Sequence, residues 1–195
     1  QIEHELYCYG HMIEAGIAHH NATGQRRMLD IVIKAADLLV RELLNAAPQV
    51  TCGHEEIELA LIRLYRLTQN ENYLELARQF LERRGRIPIK SFHLYRQYKD
   101  SERRSAHVRQ MRENYAAEHP GYPASRLPPG NASKQARFAI QRWYLNALSG
   151  KYTQQHAPIR RQNTPVGHSV RFGYLETGVA MLHRQRPDPA ILAAL

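Results

Sequence analysis

Apolar residues recur every three to four positions along most of the chain, and runs that alternate with period two are hard to find. This pattern predicts an all-α protein. The predicted helices cover residues 3–21, 26–45, 55–67, 71–84 and 170–182. Gly24 follows the first helix, Pro48 the second and Gly85 the fourth, which is where helices commonly end.

The first four predicted helices form two hairpins that repeat each other in sequence. Residues 23–30 align with 68–75, and Gly10-His11 aligns with Gly53-His54. A third pair, Gly167-His168, precedes the apolar stretch at 170–182. Helical hairpins that each bury one side against a neighbour are typical of a solenoid or a closed toroid.

The periodicity is weaker in the middle of the chain. Residues 103–117 and 133–148 can form helices, and the proline-rich stretch 117–131 is a predicted loop. We therefore predict one partial domain over residues 1–195, with an irregular basic insertion at about 86–163. Residues 189–195 begin with proline and are interpreted as a helix cut short, so we expect the chain to belong to a longer protein.

Composition narrows the function classes. No apolar run approaches the roughly 20 residues of a membrane helix, so a transmembrane protein is not expected. Two cysteines, Cys8 and Cys52, cannot build a disulfide framework, and no basic-then-apolar leader opens the chain. These features favour a cytoplasmic location with reduced thiols.

The net charge is +9 and is concentrated in the middle of the chain. The stretch 96–112 mixes basic and aromatic side chains, a combination that can bind single-stranded nucleic acid. No nucleic-acid recognition module is visible, so a solvated face is the favoured interpretation. We predict neither a nucleic-acid partner nor a membrane partner.

The three Gly-His pairs are the most informative candidate site. Histidines at matching positions of inner helices would converge near one axis, where imidazoles can bond sugar hydroxyls, transfer protons or bind a metal. The alternative is three unrelated, half-buried histidines that donate to backbone carbonyls. Spacing alone favours this second interpretation.

Histidine and cysteine side chains of the same region could also form a zinc site. His4, Cys8 and His11 lie on one helix face, and Cys52 with His54 could add two ligands. No fixed ligand spacing is met, and a buried cysteine usually behaves as a small apolar residue. We predict no metal ligand among them.

The carboxylates beside His54 have two interpretations. Glu55 and Glu56 could orient the imidazole or take part in proton transfer. Together with Glu58, they could instead stabilise the positive N-terminus of the predicted helix 55–67, which is the commoner use of such residues.

An ordered set of short motifs extends over nearly the whole chain and is weakest between residues 87 and 151. The motifs are His4-Glu5-Leu6-Tyr7-Cys8 with Gly10-His11, Ala22-Thr23-Gly24, Gly53-His54-Glu55-Glu56-Ile57-Glu58-Leu59-Ala60, Phe80-Leu81-Glu82-Arg83-Arg84-Gly85 and Val166-Gly167-His168-Ser169-Val170-Arg171. Together they resemble the catalytic domain of glycoside hydrolase family 127, the β-L-arabinofuranosidases.

The resemblance implies part of an (α/α)6 toroid and a retaining hydrolase of β-linked L-arabinofuranosides. In this family a zinc-bound cysteine thiolate is the nucleophile and a glutamate is the general acid/base, instead of the usual pair of carboxylates. Histidines of the Gly-His motifs contact the sugar and fall on His11, His54 and His168. An arabinofuranoside is the implied partner, with a possible homodimer of the full-length protein.

The catalytic motifs of the family do not carry over. Its acid/base glutamate and its Glu-x-Cys and Cys-x-Cys zinc motifs lie downstream of a segment that resembles residues 187–195, and Cys8 and Cys52 match neither motif. We therefore expect zinc in the full-length enzyme and none in this chain, no catalytic residue here, and sugar contact without turnover. The alternative function is a non-catalytic helical-repeat module that binds a glycan or a protein.

Overall fold

The computed structural model describes residues 4–47, 50–86 and 149–192, together with residues 103, 106–107, 110–111 and 113–119. In these residues the protein is all-α and has no strand, which confirms the predicted fold class. The helices are α1 (Glu5–Thr23), α2 (Arg27–Leu43), α3 (Ile57–Thr68), α4 (Glu71–Arg83), α5 (Ser169–Gln185) and α6 (Pro189–Leu192), with a 3-10 turn at Ile159–Arg161. Each predicted helix of the first and last parts is present, with ends shifted by a few residues.

The chain divides into two compact units. One comprises Gln1–Pro88 with Ser149–Leu195, and the other comprises Ile89–Leu148. In the second unit residues 113–118 are helical, which includes two residues of the predicted loop at 117–131. Most of the basic stretch 96–112, the rest of that loop and the predicted helix 133–148 lie outside the described residues.

Helix α3 is the centre of the first unit. It packs against α1, α4 and α5, whereas α2 packs against α1 and α4. Because α3 has neighbours on several sides, every residue from Ile57 to Ile62 is buried. The first half of α3 therefore lies in the core, and the exposed Arg63 and Arg66 mark the side of its second half that faces solvent. The core continues through large side chains of the neighbouring helices, among them Ile13, Leu29, Phe80, Leu81 and Val179.

The internal repeat corresponds to one turn structure that occurs twice. Gly24 ends α1 and Gln69 ends α3, both in the left-handed conformation with φ of 70° and 60°. The preceding residues, Thr23 and Thr68, each donate a hydroxyl hydrogen bond to the carbonyl oxygen four residues earlier. Each hydroxyl also accepts from the backbone N–H two residues later. The aligned residues therefore encode the reversal between the helices of each hairpin.

Arg83 joins the two hairpins. Its guanidinium donates to four carbonyl oxygens at and after the end of α2, those of Leu43, Leu44, Ala46 and Val50. The last carbonyls of a helix have no partner within the helix, so a donor from elsewhere satisfies them. A basic residue at the end of α4 thus stabilises the end of α2 instead of its own helix.

The two cysteines are not bonded to each other. Cys8 is exposed on α1 and Cys52 is buried before α3. Within the part of the chain that the structure describes, no helix is both long enough and apolar enough to cross a membrane.

We predict that Gly24→Ala lowers the free energy of unfolding by about 1–2 kcal/mol, because a residue with a Cβ is strained in the left-handed region. No atom lies within 4 Å of a Cβ placed at Gly24, so the loss would come from the backbone alone. Gly173, inside α5, also has open space around it and no positive φ. Gly173→Ala should therefore raise the free energy of unfolding by about 0.5–1 kcal/mol. Urea unfolding of each variant and of wild type measures both changes. Equal effects of the two substitutions would contradict this account of the turn.

Candidate functional site

The three predicted histidines lie in one cluster of aromatic rings. The ring centroid of His54 is 6.4 Å from that of His168 and 4.5 Å from that of Tyr7. Tyr7 lies 4.4 Å from His11, and Tyr174 lies 6.0–6.2 Å from Tyr7, His11 and His54. The convergence of imidazoles that the Gly-His pairs suggested is therefore present, while their contact with a substrate stays a prediction.

Three different elements present these histidines. His11 lies in the first half of α1, one helical turn after Tyr7. His54 lies in the loop before α3 and His168 is the N-cap residue of α5, so neither is inside a helix. His11 and Tyr7 share a face because residues four apart on a helix are neighbours. Loop and cap positions bring the other two imidazoles to the same place.

His54 is held in one orientation and one tautomer. It is 8% exposed, and its Nδ1 lies 2.7 Å from the backbone oxygen of Glu55. A carbonyl oxygen can only accept, so Nδ1 carries the hydrogen and donates it. Burial lowers the pKa of the His54 imidazole. The ring is consequently neutral at physiological pH, and Nε2 is left as a hydrogen-bond acceptor.

The loop that carries His54 rests on a fully buried arginine. Arg84, the C-cap residue of α4, places its two terminal nitrogens 2.9 Å from Glu55 Oε1 and 3.2 Å from Glu58 Oε1. The second nitrogen is also 2.6 Å from Cys52 Sγ. A buried guanidinium needs opposite charge beside it, and the carboxylates of Glu55 and Glu58 provide that charge, although Arg84 Nε has no hydrogen-bond partner among the described residues.

A second arginine fixes the same loop from α5. Arg171 lies in the first turn of this helix, is 6% exposed and donates to the backbone oxygen of Gly53. Its guanidinium is also 3.8 Å from Glu55 Oε2 and lies over the ring of Tyr152 at 5.4 Å. The residues on either side of His54 are therefore tied to α4 and to α5 by charged side chains.

The acidic residues near His54 are buried, and not all of them lie in the first helical turn where the sequence had placed them. Helix α3 begins at Ile57, and Glu55, Glu56 and Glu58 are 0%, 1% and 2% exposed. Only Glu58 keeps a capping role, because its Oε2 accepts from the backbone N–H of Glu56 at 3.1 Å. The prediction of helix-end stabilisation is wrong for Glu55, whose carboxylate pairs with the buried Arg84 instead.

Glu56 faces His11 rather than His54. Its Oε1 lies 3.7 Å from His11 Nδ1, and its carboxyl group occupies the space that a side chain at residue 10 would take. A Cβ added to Gly10 would collide with Glu56 Oε2, so a larger residue at this position of α1 would displace the Glu56 carboxyl group. Burial, with the nearby Glu14 and Glu58 carboxylates, raises the pKa of Glu56 to about 8.

The described residues contain no group of three or more histidine, cysteine or acidic side chains that could hold a metal ion. Burial raises the pKa of the Cys52 thiol, opposed by the Arg84 guanidinium that it contacts. A neutral thiol beside a permanent cation does not suit a zinc ligand, which must be a thiolate. The zinc that the family resemblance implies therefore does not fit these residues.

The sequence did not single out several residues of the site. Tyr7 and Tyr174 fill the space between the imidazoles, and Tyr152 lies 5.6 Å from His168. The spacing of Tyr7 and His11 was a usable signal, since it places both on one helix face. The partnership of Arg84 with Glu55 could not be inferred from spacing, because it joins the end of one helix to the loop before another.

The chain is similar to known arabinofuranosidases along its whole length. Residues 1–195 match the family model described as "Beta-L-arabinofuranosidase, GH127 catalytic domain". The non-reducing end beta-L-arabinofuranosidase of Bifidobacterium longum subsp. longum is 30% identical over an alignment of 197 positions, which covers 98% of this chain and 24% of that protein.

Solved structures show the same relationship. A GH127 β-L-arabinofuranosidase from Geobacillus stearothermophilus T6 superposes with a TM-score of 0.64 at 32% identity, covering 98% of this chain and 24% of that one. A second GH127 β-arabinofuranosidase gives 0.62 at 28% identity, with 98% and 21% coverage. The chain thus spans about a quarter of the length of these relatives.

The raised pKa of Glu56 predicts how stability depends on pH. An unfolded glutamate titrates at about 4.3, so between there and about 8 the folded chain retains a proton that the unfolded chain has released. The contribution of Glu56 to the free energy of unfolding is therefore fully present below about pH 4.3, and it is lost as the pH rises to about 8. Urea unfolding of wild type and Glu56→Gln across this range should show a steeper decline in wild type. Glu5→Gln, which removes an exposed carboxylate of α1, is the matched control and should keep the wild-type slope.

Proposed function

Because the chain belongs to the GH127 β-L-arabinofuranosidase catalytic-domain family, we propose that it supplies part of the substrate-binding site of a retaining hydrolase of β-linked L-arabinofuranosides. The observation that supports this proposal most directly is the ring cluster around His54. Imidazoles from α1, from the loop before α3 and from the start of α5 meet there, although they are far apart in sequence.

The cluster has the chemistry that a sugar requires. A furanose presents hydroxyl groups that donate and accept hydrogen bonds, and imidazole nitrogens can do both. His54 offers Nε2 as an acceptor, because its Nδ1–H already donates to Glu55. His168 Nδ1 is buried and has no hydrogen-bond partner among the described residues. Since unpaired buried polar atoms are unfavourable, a ligand hydroxyl at this atom would be stabilising.

The aromatic side chains complete the proposed site. Tyr7 and Tyr174 lie between His11 and His54 and give it apolar walls with polar ends. Ligand sites commonly combine such walls with a few fixed polar groups. The buried Arg84 and Arg171 lie behind this layer and hold the loop at His54, so we assign them to positioning and not to sugar contact.

We assign the groups that break the glycosidic bond to other parts of the protein. The relatives are about four times as long as this chain, and the buried Cys52 thiol beside Arg84 does not suit a zinc-bound nucleophile. In this proposal the chain binds the sugar through His11, His54 and His168. Other residues supply the nucleophile, the general acid/base and the zinc ligands. A homodimer of the full-length protein stays a prediction.

We predict that methyl β-L-arabinofuranoside binds the chain and that His54→Ala weakens binding about tenfold or more, the change expected for about 1.4 kcal/mol from one lost hydrogen bond. Isothermal titration calorimetry measures both affinities. His107→Ala removes an exposed histidine of the other unit and should leave the affinity unchanged. Equal affinity of wild type and His54→Ala, or a wild-type chain that does not bind this glycoside, would contradict the proposal.

A further inference from the structure

Glu56 and His11 form a pair at the edge of the ring cluster that core packing does not explain. The Glu56 side chain is 1% exposed, whereas that of His11 is 46% exposed. Glu56 Oε2 is buried without a hydrogen-bond partner among the described residues, and Oε1 lies 3.7 Å from His11 Nδ1. A buried carboxyl group thus faces the inner nitrogen of an imidazole whose other side is open.

The chain accommodates this carboxyl group at some cost. Glu56 has a φ of 145°, a value that side-chain-bearing residues rarely adopt because it strains the backbone. Its carboxyl group also occupies space that a Cβ at residue 10 would enter. Strain of this kind persists where the surrounding structure imposes it, and it is concentrated at functional sites.

We propose, building on the proposed function, that Glu56 is a positioning residue: as a neutral acid it donates a hydrogen bond to His11 Nδ1 and so fixes the tautomer whose Nε2–H donates to a sugar hydroxyl. The present separation of 3.7 Å is longer than a hydrogen bond. We expect a small side-chain rotation to close this gap in the free chain as well as in the complex, since the His11 side chain is 46% exposed.

The charges around Glu56 favour its neutral form. The groups that face it are Glu14 and His11 from α1, Glu58 and Arg63 from α3, and Tyr174 from α5. Arg63 is the one nearby cation of these, and it is already paired with Glu14. Burial and the two carboxylates oppose ionisation of Glu56 more than Arg63 promotes it, which raises its pKa to about 8. A proton is therefore present on Glu56 at neutral pH.

This assignment makes the two imidazoles complementary. His54 donates through Nδ1 to the Glu55 carbonyl and offers Nε2 as an acceptor. His11, accepting at Nδ1 from Glu56, would offer Nε2–H as a donor. Neighbouring sugar hydroxyls could then donate to one ring and accept from the other. A donor ring and an acceptor ring in one cluster would suit a ligand with several hydroxyl groups, such as a furanose.

The test is the tautomer of His11, read by long-range proton–nitrogen NMR on the 15N-labelled full chain from about pH 7 to about 9.5. In wild type we expect Nε2–H at pH 7 and a change toward Nδ1–H above about pH 8, because ionised Glu56 can only accept. In Glu56→Gln the amide still donates, so Nε2–H should persist over the whole range. Glu5→Gln, an exposed carboxylate on the same helix, should behave as wild type.

Two results would overturn the inference. One is the Nδ1–H tautomer of His11 in wild type at pH 7. This result needs only the wild-type chain, so it overturns the inference even if Glu56→Gln does not fold. The other is the same pH response in wild type and Glu56→Gln.

Because no sugar is present in this measurement, its outcome is independent of the proposed function. A second titration adds methyl β-L-arabinofuranoside. Wild-type affinity should fall severalfold between pH 7 and 9, and that of Glu56→Gln should not. Absence of binding at every pH would overturn the proposed function while the tautomer result stood.

Discussion

The buried guanidinium of Arg84 is the interaction on which the site depends. It binds the loop before α3 through Glu55, Glu58 and Cys52, and Arg171 holds the same loop from α5 through the Gly53 carbonyl. Removing one partner of such a buried pair typically costs about 3–5 kcal/mol, because the remaining charge has no compensation. The loop therefore cannot move freely relative to α4 and α5, and His54 is presented at a fixed position between the imidazoles of α1 and α5.

The features that the sequence predicted are those that depend on local physics. Helical periodicity, the glycine at the end of α1 and the repeat between the two hairpins all act over a few residues, and each is present in the structure. The clustering of the three Gly-His histidines is not a local feature, because it depends on how the hairpins pack. Spacing alone favoured unrelated histidines, yet the three rings lie in one cluster, with His11 inside a helix and the other two just before helices. The family comparisons confirm the resemblance that the motifs suggested.

The features that the sequence did not predict involve charges in the interior. Glu55, Glu56 and Arg84 have the composition of a solvated helix end, and nothing in their spacing indicates burial. A carboxylate on a surface and one paired with a buried guanidinium are identical in sequence, so only tertiary structure distinguishes them. Tyr174 was missed for a related reason: a tyrosine on an amphipathic helix usually belongs to the core, and its contact with His54 and His11 depends on the packing of α5 against α3.

The central claim is that imidazoles from three separate elements contact one sugar ring. Intermolecular nuclear Overhauser effects between methyl β-L-arabinofuranoside and the labelled chain test this directly. The account predicts cross-peaks from the furanose protons to the ring protons of His11, His54 and His168 in one complex. Cross-peaks confined to residues outside this ring cluster, with none to the three imidazoles, would contradict it.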